Sequence, residues 1–191
     1  MSKVVVSQFV SLDGVMEDPH LWSFDFDRGD DGDQFKSDEL MASDALLLGR
    51  VTYEGFAEAW PSREGEFADK FNSMPKHVVS TTLEDPDWSN STVIAENVAE
   101  EVASLKQADG GDILVNGSCR LVQTLMEHDL VDEYRMMVFP VVLGSGMRLF
   151  PDGGTRSVLR LADSKAVGPD GVIVLTYVPA GDRAEGSDSS G

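Results

Sequence analysis

The sequence holds a single cysteine, Cys119, which excludes an internal disulfide and argues against any zinc site built on thiolates. Its three histidines, His20, His77 and His128, stand at no ligand spacing, so each reads as a surface or loop residue and no metal is expected. Positive charge is scarce: 15 Lys and Arg face 34 Asp and Glu, for a formal net charge of −19. Such a chain repels nucleic acid and anionic lipid, so neither is an expected partner. No apolar run approaches the roughly 20 residues that cross a bilayer. The first apolar stretch, Val4 to Val10, is interrupted by Ser7 and Gln8, closed by Asp13 and flanked by only one cation, Lys3. It reads as a strand and not as a secretory leader, which gives an expected cytoplasmic location. The common signatures are missing too. There is no GxGxxG, no Walker A loop and no GxSxG elbow, and no Ser, His and Asp stand in a recognisable order.

What remains is an ordinary globular core. The chain has 191 residues, enough for one domain with a full hydrophobic interior. That domain is expected to span residues 1–179. The last stretch, AGDRAEGSDSSG from Ala180 to Gly191, has no apolar anchor and reads as a disordered acidic tail. The acidic excess is spread along the chain, as on a solvated surface. Common Asp beside scarce Lys also suits a salt-rich cytoplasm, where screening relieves self-repulsion.

Short apolar runs bounded by turn residues predict strands at Val4–Val10, Ala45–Leu48, His77–Ser80, Thr92–Ala95, Ile113–Val115, Tyr134–Val142, Ser157–Ser164 and Val172–Val178. Helical spacing predicts helices at Asp33–Ala42, Thr52–Ala59, Phe67–Asn72, Val98–Gln107 and Ser118–Glu127. Strand and helix alternate through the middle of the chain, which makes the class α/β with a mostly parallel sheet. From Tyr134 onward strands follow one another without helices, which predicts an antiparallel C-terminal edge.

Ligands in open α/β sheets bind at the carboxyl ends of strands, beside helix N-termini. Two strand-to-helix junctions suit that place. In the first, LLLGRVTYE from Leu46 to Glu54, Gly49 permits close backbone approach, Arg50 can pair with a phosphate, and Thr52 can cap the helix. The same residues equally suit a capped helix with a surface arginine. In the second, Asn116, Gly117 and Ser118 can turn backbone N–H groups toward a pyrophosphate, or form an ordinary turn with Ser118 as the cap. Ser80 and Thr81 end a third strand, where hydroxyls bond a ribose or simply shape a turn. Asp13 follows the first strand as a frequent turn residue. Asp33, Asp38 and Glu39 lie on the first predicted helix, where one acid can anchor a heterocycle and the others are solvated.

Taken in order, SLDGV from Ser11, LLLGRVTYE, HVVS from His77, ILVNGS from Ile113, LVDEY from Leu130, FPVVLGSG from Phe139 and LFP from Leu149 resemble the dihydrofolate reductase superfamily. Within it they are most similar to the RibD C-terminal branch, the reductase domain of riboflavin biosynthesis, over roughly Val4 to Val178. The resemblance implies a three-layer α/β/α fold and an NADPH-dependent reductase. It implies that Gly49, Arg50 and Thr52 meet cofactor phosphates, that Ser80 and Thr81 lie near the adenosine phosphate, and that Asn116, Gly117 and Ser118 flank the pyrophosphate. The loop from Leu12 to Trp22, with Asp13, would close over nicotinamide and substrate, and Asp38 would stand on the substrate side. Asp33 takes the position of the catalytic acid.

Hydride would pass to a C=N carbon of a pyrimidine ribosylamine or related heterocycle, as in 5-amino-6-(5-phosphoribosylamino)uracil reduction. A pterin reductase of dihydrofolate reductase type is the alternative. A non-catalytic nucleotide- or metabolite-binding protein is the alternative of another class. No Lys or Arg follows Ser80 before Glu84, so NADH stays open beside NADPH. No room for the deaminase domain of the bifunctional enzyme precedes Val4, so a stand-alone reductase is expected. The branch also implies a homodimer formed through a sheet edge.

Overall fold

The computed structural model describes residues 1–154 and 156–181. The expected tail therefore lies, from residue 182 onward, outside the described residues. Eight strands and five α-helices follow one another as β1 (Val4–Ser11), α1 (Gly29–Met41), β2 (Ser43–Gly49), α2 (Arg50–Ala59), α3 (Glu66–Ser73), β3 (Lys76–Val79), β4 (Ser91–Ile94), α4 (Val98–Gln107), β5 (Asp112–Asn116), α5 (Cys119–Glu127), β6 (Glu133–Phe139), β7 (Leu159–Val167) and β8 (Val172–Pro179). Two short 3-10 turns, Pro19–Leu21 and Ser23–Asp25, interrupt the long loop between β1 and α1.

The strands form one sheet in the order β4-β3-β2-β5-β1-β6-β8-β7. Pairs among β1 to β6 are parallel, and β8 runs antiparallel to both β6 and β7. This is the expected mostly parallel sheet with an antiparallel C-terminal edge. Helices cover both faces, which gives three layers. Alternation along the strands divides the core. Val4, Val6, Val10, Leu47, Ile113 and Val115 point to one face and pack under Val102 of α4 and Leu121, Val122 and Leu125 of α5. Val5, Leu46, Leu48 and Leu114 point to the other, under Leu40, Tyr53 and Phe71 of α1, α2 and α3. A third cluster of Trp22, Met137, Phe139, Val167, Val172 and Val174 fills the space beneath the β1–α1 loop. Each fully buried Leu or Val contributes about 1.5–3 kcal/mol over exposure.

Some boundaries move for local reasons. β6 ends at Phe139, short of the expected Val142, because Pro140 has no N–H for a ladder bond. β7 sits a few residues later than Ser157–Ser164, and it is exposed along most of its length, so no apolar alternation marks it. α1 starts at Gly29 and not at Asp33. Its first turn is a polar Gly and Asp run whose Gly29 N–H donates to Asp27 Oδ1 (2.7 Å), and apolar spacing cannot reveal such a turn. Thr52, expected as the cap of α2, lies inside the helix, and Gly49 occupies the cap position.

Candidate functional site

The site lies on the carboxyl edge of the sheet, where β2 and β5 are neighbours. α2 leaves β2 toward one face, and α5 leaves β5 toward the other. Chain connections diverge there, which is where open α/β sheets form ligand crevices. The two motifs singled out in the sequence meet at this point and are tied together. Gly49 N–H donates to Ser118 Oγ (2.8 Å), Ser118 N–H donates to Thr52 Oγ1 (2.9 Å), and Ser118 Oγ donates to the Asn116 carbonyl (3.1 Å). Gly117 and Ser118 both adopt left-handed backbone, each with φ 58°. At Gly117 a Cβ would come within 2.8 Å of Thr52 Oγ1, so only glycine fits. Thus Thr52 shapes the β5–α5 turn where a helix cap was expected. Ser118 takes the cap position of α5 without a side-chain cap bond.

The turn sends two helix N-termini to one edge. An α-helix leaves its first-turn N–H groups unpaired and its N-terminus partly positive, a natural seat for phosphate. Arg50 opens α2, exposed, with its guanidinium on both oxygens of Glu54 (2.9 and 3.0 Å). Arg120 stands in the first turn of α5, exposed, and has no ion pair among the described residues. No motif in the sequence marks it. Its signal was position, one residue into the helix that follows NGS. Beyond β3, Ser80 Oγ accepts from the N–H groups of Thr82 (3.1 Å) and Leu83 (3.0 Å), which makes it a turn former, while Thr81 is exposed beside it.

On the other side of the crevice β1 runs on past β5. Its pairing with β5 stops at Ser7↔Asn116, while its pairing with β6 continues to Ser11↔Phe139. The loop that follows is pinned by Asp13. Its carboxylate accepts from Ser11 Oγ (2.6 Å), Leu143 N–H (3.1 Å) and Gly144 N–H (2.8 Å). Those bonds, the serine first, hold its carboxyl down at about 2. Leu12 next to it is exposed, as are Val51 at the start of α2 and Val142 after β6. Trp22 is buried. Its ring meets Phe139 edge-on at 5.6 Å, and its Nε1–H donates to the Glu17 carbonyl (2.9 Å).

The acids of α1 divide sharply. Asp33 is exposed and accepts from Arg28 Nε (2.6 Å), and Asp38 is exposed and accepts from Gln34 Nε2 (2.7 Å). Glu39 is the one turned inward, 3% exposed, bound by Ser7 Oγ (2.8 Å) and by Lys36 Nζ. Its Oε2 has no hydrogen-bond partner and lies 3.7 Å from Arg135 Nη1. Burial works against the charge of Arg135, but its Glu133 bond and the charges of Glu133, Glu39 and Asp112 overcome it and raise its pKa. Helical spacing carries a sign of this, because Glu39 lies four residues after the core-facing Phe35.

Two shallow hollows, of about 380 and 420 Å³, open between α2 and the β3–β4 loop, the first against Tyr53, Glu54 and Leu83 and the second against Ala57, Asn72 and Trp88. Glu54, Glu58, Asp85 and Asp87 line the first and Asp87 the second, a poor setting for an anion. Among the described residues no group of His, Cys, Asp and Glu is arranged to hold a metal, and no helix is long and apolar enough to cross a membrane.

Comparison with known proteins places these features in a wider set. The family model of the RibD C-terminal domain matches residues 2–173. Two proteins of Bacillus subtilis (strain 168) are similar over nearly their whole length. YwjB is 33% identical over 181 residues, 93% of this chain and 98% of its own. YyaP is 30% identical over 183 residues, 92% of this chain and 94% of its own. Among solved structures, one from Shewanella sp. PV-4, named for riboflavin biosynthesis, superposes with TM-score 0.75 at 22% identity, covering 94% of this chain and 99% of that one. Dihydrofolate reductase from Enterococcus faecalis, in complex with NADP(H), superposes with TM-score 0.61 at 15% identity, covering 93% and 96%. At such identities the structures share the fold.

Proposed function

The chain belongs to the RibD C-terminal domain family, and on that footing we propose that it is an NADPH-dependent reductase acting on a C=N bond of a pyrimidine ribosylamine or related heterocycle. The observation that carries this reading is the meeting of α2 and α5 at one sheet edge through Gly49, Thr52 and Ser118. It offers two helix N-termini and two arginines, Arg50 and Arg120, to an anion in a chain of net charge −19. A dinucleotide needs such local positive potential to approach so acidic a protein. Gly49, Arg50, Thr52, Asn116, Gly117 and Ser118 would form the phosphate side, with Ser80 and Thr81 toward the adenosine. Leu12, Asp13, Trp22, Asp33 and Asp38 belong to the acceptor side in this reading. Dihydronicotinamide, when bound, would supply hydride to the C=N carbon, and a proton taken from solvent by the nitrogen would complete the amine. The exposed apolar side chains of Leu12, Val51 and Val142 offer cover against water at the reacting face.

A homodimer through the outer sheet edge is part of the same proposal. β7 leaves Leu161 exposed, and Val158 and Ile173 stand exposed nearby. Calorimetric titration with NADPH and with NADH tests the cofactor, and binding of neither at low millimolar concentration would sink the proposal. An acceptor screen with NADPH then tests the chemistry. Turnover with ribosylaminopyrimidines or related imines supports the proposal. Dihydrofolate as sole acceptor would favour a pterin reductase, and binding without any turnover would favour a metabolite-binding protein.

A further inference from the structure

We propose that Gln8 is a positioning residue of the cofactor site, its carboxamide setting the β5–α5 turn that aims α5. The proposal rests on the cofactor reading above. Along β1 the residues facing α4 and α5 run Val4, Val6, Gln8, Val10, so a polar amide interrupts a buried apolar stripe. Gln8 is 5% exposed, and a buried amide is costly unless both its ends are bonded. Both ends go to one residue. Gln8 Nε2 donates to the Gly117 carbonyl (2.7 Å), and Gly117 N–H donates to Gln8 Oε1 (3.0 Å).

The place explains the residue. The β1–β5 ladder ends at Ser7↔Asn116, so the next pair in register is Gln8 and Gly117. Gly117 has turned left-handed there, and the β1 backbone goes on with β6. The Gln8 side chain supplies the donor and acceptor that a neighbouring strand would have given. Thr52 closes the other side of Gly117 and holds Ser118 N–H. The turn is thus clamped between Gln8 and Thr52, two residues before Cys119 opens α5. A carboxylate at position 8 would offer only acceptors and face the Gly117 carbonyl with like polarity. A protonated acid would restore one donor and one acceptor.

The test uses the full chain and three variants, with NADPH affinity read by calorimetry and folding by thermal melting. Gln8→Glu and Gln8→Met are expected to fold and to bind NADPH about tenfold more weakly at neutral pH, the scale of one or two lost hydrogen bonds. In Gln8→Glu the affinity should climb back toward wild type as pH falls toward the carboxyl's own range. Gln8→Met should show no such recovery. Lys76→Met, a change at a buried polar site away from the turn, should lower the melting temperature and leave affinity unchanged. Wild-type binding with both Gln8 variants within about twofold of it would overturn the positioning role alone. So would an equal loss of affinity in Lys76→Met. Absence of NADPH and NADH binding by wild type would overturn the cofactor reading and this role with it.

Discussion

Lys76 opens β3 with its side chain fully buried. Its Nζ donates to the carbonyls of Asn72 (2.6 Å), Met74 (2.8 Å) and Ser89 (2.9 Å) and lies 4.2 Å from the Trp88 ring centroid. Burial draws its ammonium down to about 8, while three carbonyls and the indole face favour the charge. It ties the end of α3 to the loop before β4. Lys76→Met leaves three carbonyls without a donor and is expected to cost about 3 kcal/mol, read as a lower urea midpoint at unchanged slope. At the candidate site the same scale decides Arg50. Its Glu54 pair is exposed and weak, so a phosphate can displace the carboxylate. Arg50→Ala is expected to weaken NADPH binding by about 1.5–3 kcal/mol, and unchanged affinity in a calorimetric titration would remove Arg50 from the site. Single residues were also where the sequence was least legible. The spacing from Phe35 puts Glu39 toward the sheet, but spacing does not show that Ser7, Lys36 and Arg135 are there to receive a buried acid. Asp33 stands out through the resemblance, by position, whereas Glu39 stands out only in the structure, by burial. Gln8 looked like a break in an apolar strand, because the residue it serves lies 109 positions away.

Elements were easier to read. α4 matches Val98–Gln107 because Val98, Val102 and Leu105 mark one face, and β5 stands out because Ile113, Leu114 and Val115 are buried on both faces of the sheet. β7 drifted because an exposed edge strand carries no pattern to read. The loop between β1 and α1 shows what sequence spacing leaves out. SLDG marked its start, but its hold on the rest of the fold is a long-range carboxylate contact. Asp13 joins this loop to Leu143 and Gly144, 130 and 131 residues on. Its folded carboxyl titrates near 2, below the ordinary 3.8. The contribution to stability is therefore full above about pH 4 and is lost as pH falls through about 2. Urea midpoints measured from about pH 5 to 2 should fall for wild type. They should fall less steeply for Asp13→Asn, whose loop lacks the charge at every pH. Equal slopes would mean that the tether carries no charge-dependent stability.

For the whole molecule the dominant fact is a net charge of −19, most of it carried by the described three-layer fold. Repulsion among surface carboxylates opposes compaction, and salt screens it over about 10 Å at 0.1 M and about 3 Å at 1 M. Raising KCl across that interval should raise the urea midpoint, and a midpoint that fails to rise would show that repulsion among the surface carboxylates carries little of the balance of stability. Association belongs to this scale too. Light scattering should give twice the chain mass if the outer edge pairs, and charge introduced at Leu161 should return it to a single chain.

The three tryptophans fall into two surroundings, Trp22 in one and Trp60 and Trp88 together around Phe71 in the other. Trp22 is enclosed beneath the β1–α1 loop, Trp88 is enclosed under the Lys76 ammonium, and Trp60 is half-buried with Arg63 4.4 Å from its ring. The molecule therefore carries its own optical reporters. Variants that keep Trp22 alone, or Trp60 and Trp88 alone, would let emission follow the β1–α1 loop apart from the cluster around Phe71, without any added dye.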